Sequence, residues 1–262
     1  MNAEFLLIDI SNSFTKLAAS SRERLAGPVK RVPTPRLTAA ALRRAAGPAS
    51  GYSAIMLSSV VPAAVEAVEE YAAGAAAKSW KISKAPDLLK LSHRLDLGIG
   101  IDYPRPASIG ADRLANAAGA AVFHGAPAVV VDFGTAVTFD VLGGGKRRPA
   151  YLGGVIAPGL EAMTHYLHQR TALLPKIELR EPESAIGKST LDAMLAGAIY
   201  GYRGLVRQIL EELRRELRAG KRLKVVATGG YADLIARRLP EIGHVHPNLT
   251  LEGLRIVAGR NF

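Results

Sequence analysis

The sequence predicts an α/β protein made of two related halves, and three observations carry that prediction. A hairpin pattern whose first strand ends in aspartate occurs twice, at residues 5–16 and 129–140. Strand-like and helix-like stretches alternate after each copy, as in sheets flanked by helices. The chain has 262 residues, enough at roughly 150 per domain for one large or two small domains.

The first hairpin runs from Phe5 through Asp9 to Lys16, with Ser11, Asn12 and Ser13 as its turn. The second runs from Val129 through Asp132 to Asp140, turning at Gly134 and Thr135. Each has an apolar run ending in Asp, a short turn of small residues and a second run of alternating character. The duplication places the halves at 1–117 and 118–262, meeting within the small-residue segment 115–121. Between the hairpins, Leu37–Ala46 and Pro62–Ala77 have helical spacing, and Ala54–Val61 reads as a strand stopped by Pro62. In the second half Leu191–Ala219 reads as a long helix in two parts, ended by Gly220. Arg222–Thr228 is then a strand that enters a helix at Tyr231 through Gly229 and Gly230.

Composition narrows the function. Hydrophobic residues make up 48% and charged residues 22%, as in ordinary globular proteins. The absence of cysteine excludes disulfides, thiolate metal sites and cysteine nucleophiles. A net charge of +11 favours anionic partners such as nucleotides, phosphates, nucleic acid or a membrane surface. Aromatic residues are only 6%, which disfavours a stacking platform for single strands. The start of the chain carries Glu4 and Asp9 and lacks a basic region before an apolar run, so it reads as a strand and not as a signal peptide. No apolar run reaches the ~18 residues of a membrane span. A cytoplasmic protein with no membrane partner is expected.

An aspartate at a strand end followed by a turn of small polar residues suits phosphate chemistry. Backbone N–H groups line an anion site, and the carboxylate holds a magnesium ion through hard oxygen. For a single copy, a hairpin turn with a capping Asp is the favoured reading. Two copies bring Asp9 and Asp132 to one metal–phosphate cluster, with Asn12, Ser13, Lys16 and Thr135 around it. Thr228-Gly229-Gly230 gives a flat ligand or a phosphate close access to backbone, although many folds use Gly-Gly for steric reasons alone. Gly187-Lys188-Ser189-Thr190 lacks the earlier glycine of a Walker A loop, since Pro182 stands there. Asp112 and Arg113 read either as a helix N-terminus with a well-placed acid, or as a general base beside a guanidinium that grips a carboxylate or phosphate. His244 and His246 alternate on a short strand and read as edge residues. Lys146–Arg148 reads as a hairpin tip. The basic run from Arg203 to Arg222 reads as a solvated face or a nucleic-acid surface; no nucleic-acid-binding module accompanies it, and nucleic acid is disfavoured.

The ordered set of these motifs resembles the type III pantothenate kinases, of the acetate and sugar kinase, heat-shock protein and actin superfamily. The likeness runs from Asp9 to Asn261. It takes in Tyr103 with Gly110–Arg113, Asp132–Asp140, Gly153–Gly159, Thr171–Pro175, Gly187–Thr190, Ala227–Gly230 and Leu249–Leu254. It implies two duplicated actin-like (ribonuclease H-like) domains with mixed sheets flanked by helices and an active cleft between them. It also implies transfer of the γ-phosphoryl group of ATP to the primary hydroxyl of pantothenate, the first step towards coenzyme A. By that resemblance Asp9, Ile10, Ser11, Asn12, Ser13, Phe14, Thr15 and Lys16 form the first phosphate loop, and Thr135 belongs to the second. Thr228, Gly229 and Gly230 lie under the adenosine. Asp112 is the general base, and Tyr103, Gly110, Ala111, Asp112, Arg113 and Thr190 meet pantothenate, with Arg113 on its carboxylate. Asp132 would ligate a monovalent cation, K+ or NH4+, and Asp9 magnesium carried with ATP. The family's members are homodimers in which the partner completes the substrate pocket. The chain departs from the family's Asp-x-Gly-Asn-Thr at Ser11: at negative φ the serine is harmless, at positive φ it impairs nucleotide binding. The alternative reading is a catalytically impaired relative acting as a regulatory accessory factor.

Overall fold

The computed structural model describes residues 3–74, 85–144 and 148–262. They form two compact units, Met1–Phe123 with Asn248–Phe262, and His124–Pro247. Sequence reading ends the first half at 117 and runs the second to 262. In the structure Asn248–Phe262 belongs with the first unit, because its helix packs on that unit's own helix and strands.

In the first unit β1 (Phe5–Ile10), β2 (Phe14–Ser20) and β3 (Leu25–Pro33) form an antiparallel meander. Next come α1 (Ala39–Ala46), β4 (Ala54–Ser59), α2 (Val65–Ala73) and β5 (Asp87–Lys90). The sheet order is β3-β2-β1-β4-β5, with β4 parallel to β1 and β5 parallel to β4. Every residue of β1 is buried, so its run Phe-Leu-Leu-Ile-Asp-Ile reads as a central strand covered on both faces. Leu6, Ile8 and Ile10 pack with Leu42, Val68 and Tyr71 from α1 and α2. A short strand β6 (Gly100–Ile101) and α3 (Ala111–Phe123) follow.

The second unit repeats this plan. Its meander is β7 (Ala128–Phe133), β8 (Ala136–Gly143) and β9 (Ala150–Pro158), followed by α4 (Leu160–Arg170) and α5 (Thr190–Glu216). Then come β10 (Lys224–Gly229), α6 (Ala232–Ala236) and β11 (His244–Val245). These strands lie in the order β11-β10-β7-β8-β9, with β10 parallel to β7 and β11 parallel to β10. That order matches the first unit strand for strand, which is the duplication expected from the two hairpins. The core joins Val129, Val131 and Phe133 to Ile199, Tyr202 and Val206 of α5.

Finally α7 (Leu249–Asn261) completes the first unit against α3. Two glycines allow that approach. A Cβ on Gly253 would lie 1.9 Å from the carbonyl oxygen of Ala115, and one on Gly119 would lie 3.0 Å from Leu249. Thr250 Oγ1 donates to Asn116 Oδ1 at 2.8 Å inside the same contact.

The expected elements are present with shifted ends. Helix α1 begins at Ala39, two residues after the expected Leu37, and Thr38 caps it through the Ala41 N–H. Of the stretch 62–77, α2 takes Val65–Ala73, and 75–77 lie outside the described residues, as do Lys146 and Arg147. Helix α5 is one continuous rod about 40 Å long, and it stops at Glu216, before Gly220. Arg218 follows at φ +49°, the one non-glycine residue of positive φ among those described.

Candidate functional site

In the first unit Asp9 lies one residue from the end of β1 and is buried, 2% exposed. Hairpin register sets it opposite Lys16, and the parallel pairing sets it opposite Ser58. Ser11 Oγ donates to Asp9 Oδ2 at 3.4 Å. The turn is closed by Ser11 N donating to the Phe14 carbonyl at 3.3 Å. A third strand end braces it: Thr34 Oγ1 donates to the Ser11 carbonyl at 2.7 Å, and Thr34 N donates to the Ser13 carbonyl at 3.0 Å. Asn12, Ser13 and Phe14 are exposed at the turn, whereas the side chains of Ile10 and Thr15 are buried. Thr15 Oγ1 is 3.1 Å from Thr34 Oγ1, so Thr15 anchors the turn from below. Ser11 does not adopt positive φ, so its Cβ carries no left-handed strain. Ser11 thereby ceases to mark an impaired relative.

Also in this unit, Asp112 stands in the first turn of α3, where the helix N-terminus favours a carboxylate. Its Oδ1 accepts the Arg113 backbone N–H at 2.8 Å. A Cβ at position 110 would lie 2.5 Å from that oxygen, so Gly110 is the residue that lets the carboxylate turn back over the helix start. Ala111, Asp112, Arg113 and Tyr103 are half-buried, leaving each partly open to a ligand.

The second unit gathers another set. Asp132 in β7 pairs with Thr138 on one side and Thr228 on the other. Gly229 has φ +93°, and a Cβ there would lie 2.5 Å from Asp132 Oδ1 and 2.6 Å from Phe133 N. Only glycine fits, and the carboxylate of Asp132 occupies the space a side chain would take. Thr135 is exposed at the β7–β8 turn, and its carbonyl accepts the Gly159 N–H at 3.2 Å. A Cβ on Gly159 would lie 2.3 Å from that carbonyl, so the end of β9 holds the turn in place. Thr228 is buried, with Oγ1 3.5 Å from the Pro247 carbonyl, whereas Gly230 is exposed with open space where a Cβ would point. Thr190 is the exposed first residue of α5. Ser189 caps that helix: its Oγ accepts the Asp192 N–H at 3.1 Å and donates to Asp192 Oδ2 at 2.7 Å. Gly187 is required there, since a Cβ would lie 2.2 Å from Ala193 N. The Gly-Lys-Ser-Thr segment is thus a helix start, in line with the failed Walker match.

Asp9, Lys16 and Asp112 fall in the first unit, and Asp132, Thr135, Thr190 and Gly229 in the second. Among the described residues no three His, Asp or Glu side chains form a group able to hold a metal ion. A magnesium ion bound with ATP does not need one, because it takes one or two carboxylates and fills its shell with phosphate oxygens and water. Sequence reading missed Thr34 and Gly159, which hold the two turns from strand ends 19 or more residues away in sequence. It also missed His124, whose Nε2 lies 3.4 Å from His246 Nδ1 and whose ring centroid is 5.0 Å from that of His244.

The type III pantothenate kinase family model matches residues 5–212. The chain belongs to that family. A curated type III pantothenate kinase from Akkermansia muciniphila is 51% identical, over 98% of this chain and 99% of the relative. Another from Methylacidiphilum infernorum is 38% identical, over 96% of this chain and 87% of the relative. A solved chain from Campylobacter jejuni, placed in the Baf family of transcriptional activators, shares the fold at TM-score 0.60 and 17% identity, with 98% of both chains covered. Like its type III pantothenate kinase relatives, the protein is an ATP-dependent kinase that phosphorylates pantothenate in coenzyme A biosynthesis. Its fold is α/β, with two mixed sheets flanked by helices. Its substrates are ATP and pantothenate, and the family implies a divalent metal with ATP. No helix among the described residues is long and apolar enough to cross a membrane.

Proposed function

We propose that Asp112 is the general base for this transfer, taking the proton of the pantothenate primary hydroxyl as it attacks the γ-phosphorus of ATP. The observation that carries this is the carboxylate held at a helix N-terminus by the Arg113 N–H, over a glycine. A carboxylate so held is fixed in direction, and the helix dipole favours its negative charge. Phosphoryl transfer passes through a loose transition state, so it asks the protein mainly for positioning and charge stabilisation. Arg113 would hold the pantothenate carboxylate, with Tyr103, Gly110, Ala111 and Thr190 completing the substrate contacts. The turn of residues 9–16 would face the β- and γ-phosphates with the N–H groups of Asn12 and Ser13 and with the Lys16 ammonium. Thr135 would add a hydroxyl, and Thr228, Gly229 and Gly230 would lie under the adenosine.

Asp9 is the residue we assign to magnesium, which when bound neutralises charge on the transferring phosphates. Asp132, pressed against the bare Gly229 backbone, is assigned to the monovalent cation, K+ or NH4+. We assign the protein a homodimer, with the second unit's Ile156, Tyr166, Leu173 and Ile186, each more than 60% exposed, as candidate interface residues.

The test is ADP release from ATP and magnesium, with and without pantothenate, in potassium and in sodium buffer. Pantothenate-dependent turnover that requires potassium is expected. For Asp112→Asn, kcat falls by about 10²–10⁴ with KM for pantothenate little changed. A variant that keeps its kcat removes Asp112 from the role of base. Light scattering should give twice the monomer mass, and a monomer overturns the dimer.

A further inference from the structure

The second unit carries a cavity lined by none of the residues assigned above to ATP or pantothenate. It has a volume of about 690 Å³ and lies where the C-terminal part of α5 meets the start of β10 and the segment leading to β11. Arg214, Lys221, Lys224 and His244 line it. The one carboxylate in its wall, Glu241, is already bonded to Arg207 at 2.8 Å and so offsets little of their charge. Among the described residues, none of the Arg214, Lys221 and Lys224 side chains is paired with a carboxylate. The local sequence is lopsided in the same sense: residues 214–224 hold six Lys or Arg and one acid.

Three cations around one concavity focus a positive potential, because the low-dielectric walls keep field lines in the opening. Arg214 presents a planar fork suited to phosphate oxygens, and the two lysines act as mobile point charges. Leu223, Val225 and Pro240 add apolar surface to the same lining. The volume falls within the range of small-molecule sites, roughly 300–1,000 Å³. Charge and hydrocarbon in one lining fit an organic body that bears phosphate.

We propose that this cavity is a binding site for a small organic phosphate, separate from the residues assigned to ATP and pantothenate. The concavity and its apolar lining favour such a ligand over a nucleic-acid backbone, which needs an extended cationic track.

Phenyl phosphate is the probe, with inorganic phosphate and phenol as the two half-ligands, titrated into the full-length protein. The His244 imidazole resonances report binding at the site itself. Expected are a saturable His244 shift with phenyl phosphate, binding of inorganic phosphate at least ~5-fold weaker, and none with phenol. A double variant, Lys221→Glu with Lys224→Glu, should weaken phenyl phosphate about tenfold or more, as removal of two charge contacts predicts. Both lysines are exposed, so the variant should keep its fold, and its pantothenate-dependent turnover should stay within twofold of the parent. The single variant Lys221→Gln should weaken binding by a smaller factor. The proposal is overturned by a His244 shift that does not saturate, or by equal binding of phenyl and inorganic phosphate. It is equally overturned by retained affinity in the double variant, or by single-stranded DNA displacing the probe with an affinity that grows with strand length.

Discussion

Gly229 and Gly230 adjoin in sequence and differ entirely in what they tolerate. Alanine at 229 would place a Cβ 2.5 Å from Asp132 Oδ1 at φ +93°, while alanine at 230 meets nothing within 4 Å. Gly229→Ala should therefore destabilise by about 3 kcal/mol, and Gly230→Ala by roughly 0.5 kcal/mol or less. Urea midpoints measure both, and equal shifts would contradict the backbone argument. Ser11 gives the converse prediction. Since its φ is not positive, Ser11→Gly should leave KM for ATP within about twofold, and a tenfold fall would mean that the serine Cβ obstructs the phosphates. Asp9 facing Lys16 was legible in the sequence, because a three-residue turn leaves a hairpin few registers. Thr34 bracing Ser11 was not, because a contact between a turn and a residue just past a distant strand leaves no period in the chain.

At the level of elements, the meanders and the alternating helices followed from apolar runs and their punctuation. The end of α5 did not. Gly220 looked like its stop, but the helix closes at Leu217 and the chain turns through Arg218 at φ +49°. A non-glycine residue in that region is strained by about 1–2 kcal/mol, so Arg218→Gly should raise stability by roughly 1 kcal/mol. At the other end, Ser189→Ala removes the cap and should cost about 1 kcal/mol. Thermal unfolding of the two single variants should move in opposite directions. The basic run on this helix is likewise not all solvated. Arg203 is buried and bonded to both Glu181 carboxylate oxygens at 2.9 and 2.7 Å, with the Leu234 carbonyl at 2.7 Å. Charge counting along a sequence does not reveal which cation has a buried partner waiting.

For the whole molecule, acid should be more damaging than the composition suggests. Burial, then His244, His246 and Lys224, hold the His124 pKa below its usual 6.5. A base with a depressed folded pKa binds its proton more readily in the unfolded chain. Stability therefore rises with pH through that window and is lost as pH falls below about 6.5. Urea midpoints at pH 7.5, 6.5 and 5.5 should decline, and His124→Gln should flatten the decline; an unchanged slope would exclude this cluster as its source. The duplication was legible because each copy opens on the same strand, turn and acid. The placement of α7 was not, since a helix that closes a unit begun more than two hundred residues earlier carries no local sign of it. That placement orders the protein's birth. At ~5–20 residues per second, His124–Pro247 is complete as one continuous stretch on the ribosome before Asn248–Phe262 exists. The half made first is thus finished last, and for on the order of ten seconds the bed of α7 on β1 and β4 is bare to chaperones and to other nascent chains.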